Sequence, residues 1–143
     1  MRCDAEGIVV GLYAAWRIQD VDSTLAYCHD TIRYTVHQPP GITGIGAKIT
    51  GKLALRSYLT AVCAAWEFQE FQSKLTPIAH APNRATIREF VKFRVCHRRS
   101  GLLLEGHKRH VWRVDASRVV SCDEYQDAPQ LDAFLRMAKA TTV

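Results

Sequence analysis

The stretch EGHKRHVWRVDASRVVSCDEYQ, residues 105–126, decides the fold of this chain. Two runs of alternating polar and apolar residues flank Asp115-Ala116-Ser117-Arg118, a segment typical of a tight turn. The stretch therefore predicts a β-hairpin, in which side chains on each strand point alternately to the two faces of a sheet.

The register of this hairpin determines which charged side chains meet. If Val114 lies opposite Val119, counting outward places Arg109 directly opposite Glu124, with Trp112 on the other face. A buried charge costs free energy unless it is paired. The two side chains therefore predict either a structural ion pair or a polar site inside a cavity.

Composition favours an ordinary globular chain. Of its 143 residues, 48% are hydrophobic, which suits one domain over residues 1–143 with a real core.

No apolar run approaches membrane-spanning length and no signal-peptide pattern opens the chain, so we expect a cytoplasmic protein. Its five cysteines are scattered without a Cys-x-x-Cys spacing, which favours reduced, small buried residues over disulfides or a zinc site.

The net charge of +5 raises the question of a nucleic-acid partner. Much of the basic charge lies between residues 84 and 118. We favour a solvated hairpin face, because no aromatic residues are interleaved with the basic cluster to stack on bases. That cluster consists of Arg94, Arg98, Arg99 and Lys108.

Hydrophobic periodicity predicts an α+β order of elements. The predicted helices are residues 5–18, 23–29, 52–65 and a closing helix after Asp127, and the predicted strands are residues 31–37, 67–79, 84–97, 103–114 and 118–126. A long loop, residues 38–51, lies between the first strand and the third helix. We expect a strongly curved antiparallel sheet with helices packed across its concave face, enclosing a cone-shaped hole that suits a small molecule.

This order of elements, together with several short motifs, resembles the cone-shaped fold of nuclear transport factor two, particularly its SnoaL-like and ketosteroid-isomerase-like branch. The matching stretches are Tyr13-Ala14-Ala15-Trp16 followed by Asp20-Val21-Asp22, His29-Asp30-Thr31-Ile32, Gly51-Lys52-Leu53-Ala54-Leu55-Arg56-Ser57-Tyr58-Leu59, and Trp112-Arg113-Val114 to Asp123-Glu124-Tyr125-Gln126-Asp127. Members of that superfamily isomerise steroids, cyclise polyketides, dehydrate small aromatics, hydrolyse epoxides or only bind ligands, so the resemblance implies a fold and not one reaction.

The resemblance carries over to catalytic positions only in part. Tyr13 lies close to the position of the isomerase's oxyanion-hole tyrosine, whereas the isomerase's base falls near Thr35 or Val36, which cannot act as a carboxylate. The isomerase's protonated aspartate falls on Arg109. In the epoxide hydrolase branch, the last-strand aspartate falls on Glu124.

The candidate catalytic residues are therefore Glu124, Arg109, Glu89 and Tyr13. A buried, paired carboxylate can exchange a proton if burial and pairing tune its pKa. The alternative is an ion-pair ladder across three strands, formed by Glu89, Arg109 and Glu124, with a purely structural role.

Other side chains are expected to line the ligand cavity. These candidates are Tyr34, Trp16, His37, His107 and Val111. His37 is a candidate base at the cavity mouth, and Tyr34 a hydrogen-bond donor to a substrate oxygen. His107 shares the face of Arg109, whereas His110 has the opposite parity and lies on the other face of the strand. The two histidines are therefore a poor metal pair, and we expect neither a metal nor a cofactor.

Two wider hypotheses remain open. One is a cofactor-free enzyme; the other is a non-catalytic binding protein in which Arg109 holds an anionic ligand.

Nucleotide hydrolysis is rejected. The segment Gly46-x-x-x-x-Gly51-Lys52 resembles a phosphate loop, but Leu53 stands where a magnesium-binding hydroxyl is needed. We also expect a homodimer through the outer sheet face, where large aromatics call for a partner. Those aromatics are Phe90, Trp112 and Tyr125.

Overall fold

The structure is a computed structural model, and it describes residues 4–42 and 44–141. Within these residues, four helices and six strands follow one another. They are α1 (Ala5–Arg17), α2 (Val21–Leu25), β1 (Cys28–Val36), β2 (Ala47–Thr50), α3 (Lys52–Ala65), β3 (Trp66–Ala81), β4 (Arg84–His97), β5 (Leu103–Asp115), β6 (Arg118–Gln126) and α4 (Ala128–Thr141). The predicted order is confirmed, with one strand added, β2, inside the predicted loop 38–51.

Local side-chain chemistry fixes where the helices begin. Asp4 and Asp20 cap α1 and α2 by accepting hydrogen bonds from the backbone N–H groups of Gly7 and Ser23. Gly51 precedes α3 with a φ of +91°, a backbone conformation that L side chains rarely adopt. These local signals set the starts of three helices. The second helix is displaced from the predicted range 23–29, because α2 ends at Leu25 and β1 already begins at Cys28.

The six strands form one sheet in the order β2-β1-β6-β5-β4-β3. All neighbouring pairs are antiparallel except β1 and β6, which run parallel. The predicted curved sheet is therefore antiparallel at four of its five pairings, and the exception joins β1 and β6, which are far apart in sequence so that no hairpin sets their direction.

The sheet curves around the helices as predicted for the α+β cone. Register shifts in β3, between Phe68 and Glu70 and between Pro77 and Ala79, bend the longest strand. A first cluster of buried apolar residues joins α1, α2 and α3 to β1, β4, β5 and β6, and a second joins α4 to β3, β4 and β5. The concave face of the sheet is thus covered by helices at both ends.

The hairpin of β5 and β6 contains the main correction to the predicted register. Val114 does lie opposite Val119, but Arg113 then lies opposite Ser121, so that Val120 is an extra, unpaired residue. A bulge of this kind moves every later pair by one position. The predicted pairing of Arg109 with Glu124 is therefore wrong.

Candidate active site

Three polar side chains lie in one row across the inner face of the sheet. Glu89 on β4 lies opposite His110 on β5, and His110 lies opposite Glu124 on β6. Their exposed fractions are 0%, 4% and 4%. Because side chains alternate along a strand, the inner face of β4 is otherwise apolar, with Ile87 and Val91 on either side of Glu89.

His110 bridges the two carboxylates. Its Nδ1 lies 2.9 Å from Oε1 of Glu89, and its Nε2 lies 2.8 Å from Oε1 of Glu124. Both ring nitrogens can donate only if the imidazole is protonated. Burial opposes the charge, but the hydrogen bonds to Glu124 and Glu89 outweigh it and raise the pKa of His110.

Glu89 is held by two further donors. The indole Nε1 of Trp112 donates to Oε1 at 3.0 Å, and the hydroxyl of Ser73 donates to Oε2 at 2.5 Å. Burial acts to raise the pKa of Glu89, but the hydrogen bonds and charge of His110, with those from Ser73 and Trp112, lower it overall. Glu89 is therefore an ionised carboxylate at the closed end of the row.

Glu124 has the densest set of partners. The hydroxyl of Tyr34 donates to Oε1 at 2.6 Å, Gln126 Nε2 donates to Oε2 at 2.6 Å, and Lys108 Nζ lies 3.7 Å from Oε1. Burial acts to raise the pKa of Glu124, yet the charge of Lys108 and the hydrogen bonds from His110 and Tyr34 hold it well below its usual range. With His110 protonated, two negative and two positive charges balance in this cluster.

The cluster opens at Glu124 into a cavity of about 210 Å³ under the helices. Its polar wall is formed by Tyr34, Tyr58, Lys108, Glu124 and Gln126. The remainder is largely apolar, and its large side chains include Trp16, Trp66, Phe68, Phe71, Phe93 and Leu131. The cavity is smaller than sites for drug-sized ligands, roughly 300–1,000 Å³, but larger than the cavity of about 150 Å³ that takes benzene.

Beside this cavity lies a smaller space of about 30 Å³, on whose wall Tyr13 meets Glu89 and His110. Among the described residues, no hydrogen-bond partner is found for the buried hydroxyl of Tyr13. Burial, followed by the nearby charge of Glu89, raises the pKa of Tyr13, so its phenol stays protonated. Tyr13 therefore lies behind the main cavity.

Four of the residues predicted from the sequence meet at this site. Glu124, Tyr34 and Trp16 line the main cavity, and Glu89 lies behind it. The structure brings Glu89 and Glu124 together through His110 and not through Arg109.

Three predicted site residues on β5 lie elsewhere. Arg109 and His107 are exposed on the outer face of the sheet, where His107 stacks on Phe90 at 5.2 Å between ring centroids. Val111 shares their parity and pairs with Asp123, away from the cone. The bulge at Val120 is the physical reason. It shifts the pairing of β5 with β6 by one residue, so that Lys108, His110 and Trp112 share the face of Glu124 and the residues between them lie on the other face.

His37 also lies outside the cavity. Its Nε2 is 2.8 Å from Oδ1 of Asp123, and its ring stacks on Tyr125 with centroids 4.4 Å apart. It follows Val36, an inward residue of β1, and so belongs to the opposite face. The expectation of a ligand-lining His37 is therefore wrong.

Sequence reasoning missed His110, Lys108, Trp112 and Tyr58 at this site. The first three have the parity opposite to Arg109, and a correct placement of the bulge would have identified them together. The sequence itself carries no separate signal for the bulge; in the structure it is marked by Ser121 and Cys122, two successive residues that are both buried.

Two features are absent from the part of the chain that the structure describes. No group of three or more His, Cys, Asp or Glu side chains there has an arrangement that could hold a metal ion. Nor does any helix among them have the length and apolar character needed to cross a membrane.

Solved structures with this fold were found by comparison, whereas no family model and no curated protein matches the chain. A ketosteroid isomerase-like protein from Erwinia carotovora has a TM-score of 0.73 at 12% identity, over 87% of this chain and 94% of that one. A nuclear transport factor two-like protein from Burkholderia thailandensis has a TM-score of 0.70 at 22% identity, over 94% and 98%. A polyketide cyclase-like protein from Xanthomonas campestris has a TM-score of 0.69 at 14% identity, over 94% and 96%.

Proposed function

We propose that this chain, which has the nuclear transport factor two-like fold, is an enzyme that moves protons on a small, oxygenated, largely apolar molecule without a cofactor. The observation that carries the proposal is the buried row of Glu124, His110 and Glu89, with Glu124 at the cavity wall. The reaction belongs to the isomerase, cyclase, lyase or epoxide hydrolase classes. Isomerase-like and polyketide cyclase-like neighbours in the structural comparison support this range.

A structural role alone accounts poorly for this cluster. Buried ion pairs contribute little net stability, because desolvation offsets their attraction, and apolar side chains of similar volume often stabilise a protein as well or better. Here two carboxylates, an imidazole and an ammonium group lie next to a cavity large enough for a single ring. Their cost in free energy is therefore explained more simply by chemistry at that cavity.

In the proposed reaction Glu124 accepts a proton from a carbon beside a substrate carbonyl, or from a bound hydroxyl. Lys108 and Tyr58 stabilise the negative charge that develops on the substrate oxygen. Tyr34 and His110 hold the carboxylate of Glu124 in position. Loss of the His110 proton raises the proton affinity of Glu124, because it removes a hydrogen bond and a positive charge from Oε1.

Non-catalytic binding of a small ligand is the second candidate function. The low pKa of Glu124 favours it, because a carboxylate that holds four partners is a weak base. In that case the same cavity binds the ligand, and Lys108 replaces Arg109 as the cation that contacts it.

A homodimer remains part of the proposal, with a smaller interface than the sequence indicated. Phe90 and Tyr125 are 45% and 43% exposed on the outer sheet face, whereas Trp112 is buried inside the cone and was wrongly assigned to that face. Two exposed aromatics beside the stacked rings of His107 and His37 offer a flat surface to a second copy of the chain.

We also propose a cytoplasmic location and no nucleic-acid partner.

The experiment is a proton-exchange assay that needs no knowledge of the natural substrate. Cyclohexanone, indanone and styrene oxide are incubated with the protein in deuterated water, and NMR follows deuterium uptake beside the carbonyl or opening of the epoxide. We expect exchange or opening by the wild type with at least one probe. Substitution Glu124→Gln should lower that rate at least ~100-fold, the lower end of a general base's contribution.

Arg109→Gln is the matched control, since Arg109 is on the same hairpin but exposed on the outer face. It should retain the wild-type rate. Equal rates for Glu124→Gln and the wild type would remove Glu124 from the chemistry. Measurable binding of these probes without any turnover would favour the second candidate function.

A further inference from the structure

The ammonium group of Lys108 is almost buried but incompletely paired. Its side chain is 15% exposed, and Nζ lies 3.7 Å from Oε1 of Glu124, too far for a good hydrogen bond. Nζ also lies 5.8 Å from the ring centroids of both Phe71 and Phe93. Within residues 4–42 and 44–141, no acceptor forms a hydrogen bond with it, so its N–H donors are available to a ligand in the cavity.

Glu124 gives the same wall an acceptor of opposite charge. A ligand oxygen that contacts Nζ of Lys108 lies close to the carboxylate of Glu124, because the two groups are 3.7 Å apart. A hydroxyl or enol suits both, since it accepts from the ammonium and donates to the carboxylate. A ligand carboxylate meets one attractive and one repulsive charge, and a hydrocarbon leaves both groups without a new partner.

We propose that the Lys108–Glu124 pair makes this cavity selective for ring-sized ligands that carry a hydroxyl or enol oxygen, against carboxylates of the same shape. The proposal rests on the site assigned above and names its ligand class. It also reverses the sequence-based hypothesis of an anionic ligand, because the cation inside the cone has a carboxylate beside it whereas Arg109 lies outside.

The apolar part of the cavity defines the rest of the ligand. Aromatic side chains from α1, β3 and β4 contribute Trp16, Trp66, Phe68, Phe71 and Phe93 to the wall. Such a lining accommodates a flat ring in edge or offset contact with several faces. At about 210 Å³ the cavity has room for one ring with a short substituent.

The test compares three ligands of matched shape: phenol, benzoate and toluene. Dissociation constants are measured by NMR titration, following the indole N–H signals of the three tryptophans, of which Trp16 and Trp66 line the cavity. For the wild type we expect phenol to bind at least tenfold more tightly than benzoate and more tightly than toluene.

Two substitutions change the charge at this wall in opposite directions. Glu124→Gln leaves the charge of Lys108 unbalanced, so benzoate should bind at least tenfold more tightly than to the wild type. Lys108→Met should weaken the binding of both phenol and benzoate, whereas Lys108→Arg, which keeps the positive charge, should retain phenol binding at least in part. Arg109→Gln, on the outer face, should leave all three constants unchanged, and thermal unfolding checks that each variant is folded.

Three outcomes overturn the proposal: benzoate bound by the wild type as tightly as phenol, an unchanged benzoate-to-phenol ratio in Glu124→Gln, or no binding of any ligand to the cavity. The result is separable from the proposed function. Selective phenol binding together with a proton-exchange rate that is insensitive to Glu124→Gln refutes the catalytic role and leaves the ligand class standing.

Discussion

His110 lies directly opposite Glu124 across the hairpin of β5 and β6, with Nε2 of the imidazole 2.8 Å from Oε1 of the carboxylate. One extra residue, Val120, produces this pairing by moving the register of β6 by one position. As a result a titratable imidazole, and not a permanently charged guanidinium, joins the two carboxylates inside the cone. The protonation state of the site can therefore change within the physiological pH range.

Replacing His110 with phenylalanine should destabilise the fold strongly. The substitution leaves Glu89 and Glu124 buried without their shared donor, and removing one partner of a buried ion pair typically costs about 3–5 kcal/mol. Urea denaturation followed by circular dichroism measures the free energy of unfolding. Arg99→Gln, in the turn between β4 and β5, is the control and should change it by no more than about 0.5 kcal/mol, because that side chain is exposed and away from the proposed dimer face.

The free energy of unfolding should be highest between about pH 5 and pH 6.5. The raised pKa of His110 contributes stability fully below its ordinary value, and this contribution is lost as the pH rises through the folded-state value. The lowered pKa values of Glu89 and Glu124 contribute stability that is fully present above their ordinary pKa of 4.5. That stability is lost as the pH falls through their folded-state values.

Urea midpoints measured across this range test the alkaline limb in particular. In His110→Gln the decline on the alkaline side should be flatter than in the wild type, since the group responsible is gone. A wild-type midpoint that rises steadily from pH 6.5 to pH 9 contradicts the assignment of a protonated His110.

Trp112→Phe should cost about 1.5–3 kcal/mol, the usual contribution of a hydrogen bond to a charged group. The substitution keeps a buried aromatic ring, but it removes part of the indole together with the N–H that donates to Oε1 of Glu89 at 3.0 Å. Chemical denaturation gives the change in the free energy of unfolding. If the slope of that free energy against denaturant concentration is the same in the variant and the wild type, the two can be compared as two-state proteins. A loss below about 0.5 kcal/mol means that Glu89 does not depend on this donor.

Phe90→Lys should dissociate the proposed homodimer. It places a charge among the exposed aromatics of the outer face without contact with the cavity. Light scattering coupled to size exclusion should give twice the chain mass for the wild type at micromolar concentration and the single mass for the variant. A wild-type protein that is already monomeric removes the dimer from the proposal.

Much of the fold could be predicted because its signals are local. Apolar spacing identified the helices and alternation identified the strands. The parallel pairing of β1 with β6 could not be predicted in this way, since it joins residues about 90 positions apart, such as Tyr34 and Cys122. Non-local strand pairing leaves no short-range pattern.

The site was predicted less well, and for one physical reason. Glu89, Glu124, Tyr34 and Trp16 were chosen correctly as inward residues, yet a single bulge reversed the faces of Arg109 and His110. Two-residue periodicity makes face assignment sensitive to any insertion. The alternation of β5 gave little warning, because both faces carry charged residues.

The protonation state of His110 tests most directly whether a charged row of side chains lies inside the cone. Nitrogen-15 NMR of the imidazole, recorded against pH in the wild type and assigned with His110→Gln, reports protons on Nδ1 and Nε2 separately. The predicted result is an imidazole that still carries protons on both nitrogens in most molecules at about pH 6.5, the ordinary histidine value. A His110 that is already a neutral single tautomer at that pH contradicts the proposed site.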